Sequence, residues 1–138
     1  MPDIMIIKQI EHIGIAVRNL EAAIRFYEEV FNLHCYAIEE VKDQKVRTAF
    51  FKIGDIKIEL LESTDPDGPV ARFIEKRGEG FHHIAFSVDQ AGTALKDMQD
   101  KGVQLVDQEA RNGAEGLQIG FLHPKSTFGV LTELCSHR

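Results

Sequence analysis

The stretch His12-Ile13-Gly14-Ile15-Ala16-Val17 returns 71 residues later, from 12 to 83, as His83-Ile84-Ala85-Phe86-Ser87-Val88. Ile58-Glu59-Leu60 returns 74 residues later, from 59 to 133, as Thr132-Glu133-Leu134. Self-similarity at a fixed spacing means one structural unit used twice, so the chain is expected to fold as two copies of one module. Each copy supplies one histidine and one glutamate. Two modules of one shape packed about a pseudo-twofold axis bring equivalent positions toward that axis, and the four polar side chains are expected to meet there.

The segments between these anchors also match. Leu20, Ala23, Ile24 and Tyr27 obey the i, i+3, i+4, i+7 rule, and Ala91, Ala94, Leu95 and Met98 repeat it 71 positions on. Both are amphipathic helices, with Asn32 and Gly102 as left-handed residues that end them. In the first module (about 8–62) the pattern predicts a strand over Ile10 to Val17, a helix over Leu20 to Phe31, and strands near His34 to Val41, Val46 to Ile53 and Ile56 to Glu62. Gly54-Asp55 makes a two-residue hairpin turn between the last two. The second module (about 82–136) repeats this at His82 to Val88, Ala91 to Lys101, Val103 to Glu109, Gln118 to Leu122 and Val130 to Cys135. A linker over 63–81 holds a short helix through Arg72 and Lys76, opened by Pro69 at a position needing no amide donor and stopped at Gly78. The fold class is α+β, with two βαβββ modules in one domain spanning 1–138, because neither half is expected to bury its sheet face alone.

Composition narrows the function. A formal net charge of −6 without a long basic run argues against nucleic acid, whose phosphates are held by clustered Lys and Arg. No apolar run approaches the length of a membrane span, and Met1 to Ile10 has neither a secretory nor a transit character, so no membrane partner and a cytoplasmic location are expected. Cys35 and Cys135 lack CxxC spacing and read as small buried hydrophobes, not as zinc thiolates.

Strand alternation sets the direction of the polar groups. His12 shares a face with Gly14 and Ala16, and His83 with Ala85 and Ser87; the bulky Ile13, Ile15, Val17, Ile84, Phe86 and Val88 occupy the opposite faces, where the helices pack. Small neighbours leave room for a ligand beside each histidine. Two imidazoles with two carboxylates make a mixed N/O donor set suited to a divalent ion such as zinc, nickel, cobalt, manganese or iron, and in octahedral geometry they leave two cis positions.

These strands, together with Phe121-Leu122-His123-Pro124-Lys125 and Gly129-Val130-Leu131-Thr132-Glu133-Leu134, resemble the vicinal oxygen chelate (glyoxalase) superfamily, and within it the methylmalonyl-CoA epimerase family, over nearly the whole chain. The resemblance implies a curved, incomplete eight-stranded barrel around a metal site with ligands His12, Glu59, His83 and Glu133. Its expected ion is Co2+, with Zn2+, Ni2+, Mn2+ or Mg2+ as alternatives. The position of Glu59 is Gln in some relatives, so a ligand there need not be charged. His82 alternates to the other face and is structural or supports a ligand.

The implied reaction interconverts (2R)- and (2S)-methylmalonyl-CoA by abstraction of the C2 proton through a metal-stabilised enolate. Glu59 and Glu133 are the candidate acid/base pair, one for each enolate face. Thr48 stands where some epimerases place a proposed catalytic Glu. Lys125 and Arg72, with Lys76 and Arg77, are candidates for the acyl-CoA phosphates, and Gly113-Ala114-Glu115-Gly116 is a flexible loop able to close over substrate. A homodimer is the implied assembly. Glyoxalase I chemistry on glutathione hemithioacetals, and a metal-free drug-binding protein on the same fold, are the alternatives; a fourth protein ligand at Glu59 argues against an extradiol dioxygenase.

Overall fold

The computed structural model describes residues 4–137, which divide into two compact units: residues 12–82, and residues 83–137 together with the N-terminal segment up to Glu11. Each unit carries four strands and a helix, following the first of them, that packs on one face through its apolar stripe.

In the first unit β1 (Gln9–Ala16) leads into α1 (Leu20–Glu29), followed by β2 (Ala37–Val41), β3 (Val46–Ile53) and β4 (Ile56–Ser63), in the order β2-β3-β4-β1. β1 runs parallel to β4, which requires a crossover, and the remaining pairs are antiparallel. Asn19 starts α1 by accepting the Ala22 N–H on Oδ1 at 3.0 Å, and Glu62 accepts the Leu20 N–H at 2.8 Å. The predicted stripe seats the helix: Leu20, Ala23, Ile24 and Tyr27 pack with Ile15, Ala49, Phe51 and Leu60. Full burial of side chains such as Leu20, Phe51 and Leu60 contributes about 1.5–3 kcal/mol each. α1 stops two residues before the predicted Phe31, and Asn32 takes the left-handed conformation (φ 57) predicted for it.

A second helix, α2 (Pro69–Arg77), follows β4, with Pro69 in its first turn and Gly78 as its C-cap. Val70, Phe73 and Ile74 pack on Ala16, Val46 and Leu61, on the sheet face opposite α1. The ring of His82 stands edge-on to Phe73 at 4.8 Å, which gives this histidine a packing role.

In the second unit β5 (Gly80–Ser87) leads to α3 (Ala91–Asp100), β6 (Arg111–Asn112), β7 (Gln118–Leu122) and β8 (Thr132–Ser136), in the order β5-β8-β7-β6. All four residues of the repeated stripe, Ala91, Ala94, Leu95 and Met98, are buried. Leu95 presses so closely on β7 that a Cβ on Gly120 would lie 2.4 Å from its Cδ1. Gly102 (φ 88) and the Val103 N–H to Met98 carbonyl bond close the helix as predicted.

Four local expectations are corrected. Val103 to Glu109 is not a strand: beside the Leu105 to Leu122 bridge, the Val106 and Asp107 N–H groups share the Phe121 carbonyl, and the Asp107 carboxylate accepts the Phe121 N–H at 2.8 Å, a side-chain acceptor in place of a ladder carbonyl. The short β6 at Arg111–Asn112 completes the sheet instead. His34 to Tyr36 precede β2, and β8 begins at Thr132, past Val130. Cys135 is buried as expected, whereas Cys35 is only half-buried. The 113–116 segment is a tight turn in which Glu115 (φ 58) and Gly116 (φ 73) are left-handed.

Candidate metal and substrate site

The two sheets place their histidine and glutamate by the same register. In the parallel β1–β4 pair Gly14 stands opposite Glu59, and in the parallel β5–β8 pair Ala85 stands opposite Glu133. His12 and His83 each lie two residues before the small partner, hence on the same face as the glutamate. With no bulky side chain in the intervening position, the imidazole reaches across to the neighbouring strand. His12 Nδ1 is 3.1 Å from Glu59 Oε2, and His83 Nε2 is 3.3 Å from Glu133 Oε1.

All four side chains are buried, with residue exposures of 3% for His12, 5% for Glu59, 4% for His83 and 3% for Glu133. Burying a carboxylate is costly without charge compensation, and a divalent cation provides it. The separations fit. Two donors bound to one ion at about 2.1 Å lie about 3.0 Å apart at a right angle and about 3.4 Å apart at the tetrahedral angle, a range that includes both observed spans. A hydrogen bond has a similar span, so each pair can exchange it for a shared cation. His12, Glu59 and His83 are buried, and each is of a residue type that ligates divalent ions.

The other candidates stand apart from this chemistry. Thr48 is buried on the Glu59 face of the first sheet, aligned with Leu61, and its hydroxyl is no proton base near neutral pH. Arg72 and Lys125 are exposed. Lys125 lies in a turn built by its own N–H donating to His123 Nδ1 at 3.0 Å and by the Gly129 N–H donating to the Pro124 carbonyl at 2.8 Å.

Phe121, Arg111 and Asp107 form a group to which the sequence pattern does not point. Phe121, opposite Glu133, sets its ring edge-on to His83 with 5.5 Å between ring centres. The Arg111 guanidinium lies 5.9 Å from the centre of the same ring, and Asp107 meets Arg111 Nε at 3.1 Å. Only the register of β6 on β7 reveals this grouping, and a lone arginine in a polar stretch carries no such signal.

Residues 11–121 match the family profile described as Glyoxalase/Bleomycin resistance protein/Dioxygenase superfamily. The chain is 35% identical to the mitochondrial methylmalonyl-CoA epimerase of Homo sapiens over 91% of its own length and 72% of that protein. It is 34% identical to the ethylmalonyl-CoA/methylmalonyl-CoA epimerase of Cereibacter sphaeroides over 93% of its length and 97% of that protein. A Streptomyces coelicolor methylmalonyl-CoA epimerase variant, solved in complex with 2-nitronate-propionyl-CoA, superposes with a TM-score of 0.92 at 39% identity, covering 95% of both chains.

Proposed function

We propose that this chain, which belongs to the Glyoxalase/Bleomycin resistance protein/Dioxygenase superfamily and has its fold, interconverts the 2R and 2S epimers of methylmalonyl-CoA by moving the proton at C2. The observation that carries this reading is similarity to methylmalonyl-CoA epimerases over more than nine-tenths of a chain that buries one histidine–glutamate pair in each module. His12, Glu59, His83 and Glu133 are the proposed ligands of one divalent metal, with cobalt as the native ion. When bound, such an ion supplies Lewis acidity to a substrate oxygen without redox chemistry.

The chain's own residues do the rest. The C2 proton lies between a thioester and a carboxylate, so a positioned carboxylate can remove it, and inversion requires its return from the other face of the planar carbanion. Glu59 and Glu133 take these two parts, each carboxyl leaving the ligand set while it carries a proton: one accepts the proton and the other, protonated, donates to the opposite face. Each changes its protonation state once per turnover, and solvent restores the pair. Thr48 cannot substitute for either. Lys125, on the turn before β8, and Arg72, on α2, contact the phosphates of the CoA moiety. The resemblance also supports a homodimer.

The assignment is tested with Glu59→Gln and Glu133→Gln, following C2 deuterium uptake separately from change of configuration. Each variant is expected to lose inversion while retaining exchange from one epimer. Inversion at the parental rate by both variants contradicts the two-carboxylate scheme. Turnover of the glutathione hemithioacetal of methylglyoxal in preference to methylmalonyl-CoA moves the protein to glyoxalase chemistry.

A further inference from the structure

Arg111 is the anomaly of the second sheet. Its Nε is buried, yet it makes no hydrogen bond among the described residues; Asp107 Oδ1 at 3.1 Å offers charge without hydrogen-bond geometry. The side chain is 38% exposed, so the guanidinium is open to an incoming group. A buried donor without an acceptor is costly, and a site that retains one commonly has a ligand to satisfy it.

The position of Arg111 says which ligand. Arg111 is in register with Ile119, Ile119 with Cys135, and Phe121 with Glu133. Cross-strand partners and residues two apart share a face, so Arg111, Phe121, Glu133 and His83 lie on one face of this sheet. α3 covers the other face through Leu95, Leu122 and Leu134. The guanidinium is also positioned: Asp107 sets a carboxylate beside it while accepting the Phe121 N–H, and its central carbon lies over the Phe121 ring. The turn after β6 depends on Gly113, where a Cβ would lie 2.7 Å from Ile119 Cγ2.

We propose that Arg111 anchors an oxyanion of the substrate, either its carboxylate or a phosphate of its CoA moiety. The inference rests on the epimerase reading, because that substrate carries both groups. A planar guanidinium matches carboxylate and phosphate alike, whereas lysine supplies the charge without the fork.

The test measures binding by calorimetry for the parent protein, Arg111→Gln and Arg111→Lys. Two probes separate the sources: propionyl-CoA, which has the phosphates without the carboxylate, and methylmalonyl-pantetheine, which has the carboxylate without the phosphates. Arg111→Gln is expected to weaken one of them about tenfold or more, with Arg111→Lys intermediate. Loss on the first probe identifies the phosphate, and loss on the second the carboxylate. Parental affinity for both overturns the inference. Cobalt affinity is measured alongside; a parallel fall overturns it too, because Arg111 then acts by supporting His83 through Phe121. If Arg111→Gln does not fold, Arg111→Lys, which keeps the charge beside Asp107, carries the same test, and parental affinity for both probes again overturns the anchor. Failure of the epimerase reading shows separately, as absence of methylmalonyl-CoA turnover by the parent protein.

Discussion

Gly14 stands directly opposite Glu59 across the β1–β4 pair, and Ala85 stands opposite Glu133 in the same way across β5–β8. The small residue in each pair is what lets the histidine two positions earlier lean over the glutamate. Ala85 is fully buried, so Ala85→Leu forces extra volume between His83 and Glu133. A loss of about 1–3 kcal/mol in stability follows from overpacking, together with weaker cobalt binding. Denaturant titration and cobalt absorption measure the two effects, and unchanged cobalt affinity contradicts the spacer role.

The proposed ligands differ from their supporting residues in magnitude. Changes to groups that merely orient a ligand cost about 10–100-fold in metal affinity, so His12→Ala and His83→Ala are each expected to lose at least about a hundredfold. Equilibrium titration with cobalt reads this directly. Retention of parental affinity by either variant removes that histidine from the ligand set.

The Arg47 guanidinium joins Glu21 of α1 at 2.6 Å to Glu62 of β4 at 3.0 Å, while Glu62 also caps the Leu20 N–H. Glu62→Ala removes both contacts and is expected to cost about 1–2 kcal/mol, the range of a lost helix cap. The Arg47 hydrogen bond holds the Glu21 carboxyl below its ordinary value of 4.5. A depressed carboxyl stabilises the fold at pH above the unfolded value and loses that contribution as pH falls through the folded one. Because Glu21 is exposed, the effect is small. Unfolding of Glu21→Gln against the parent across this acid range is expected to show a stability gap that narrows as pH falls, and a gap that widens reverses the sign.

Gly120→Ala tests the packing of α3. The added carbon meets Leu95 at 2.4 Å, so the helix or the leucine must move, at about 1–3 kcal/mol. Thermal unfolding measures the loss. Turnover per folded molecule is expected to stay at the parental level, since Gly120 faces away from Glu133.

The repeat made the two buried pairs, His12 with Glu59 and His83 with Glu133, legible in the sequence, because duplicated spacing is a signal that survives without coordinates. The helix stripes were legible for the same reason, each apolar position having a counterpart. Val103 to Glu109 misled because its alternation is strand-like, while Asp107 supplies a side-chain acceptor that no pattern of hydrophobicity encodes. Arg111 escaped notice because its meaning comes from the cross-strand partner Ile119 and not from its sequence neighbours. Cys35 fell short of burial because it precedes β2, leaving it at the margin of the core.

The most direct measurement is incubation of the cobalt-loaded protein with (2R)-methylmalonyl-CoA in deuterium oxide, with C2 deuterium content and configuration followed together. Deuterium uptake accompanied by approach to an equal mixture of epimers, abolished by chelator and restored by cobalt, is the predicted result. Configuration and C2 hydrogen both unchanged in the metal-loaded protein would contradict the epimerase account.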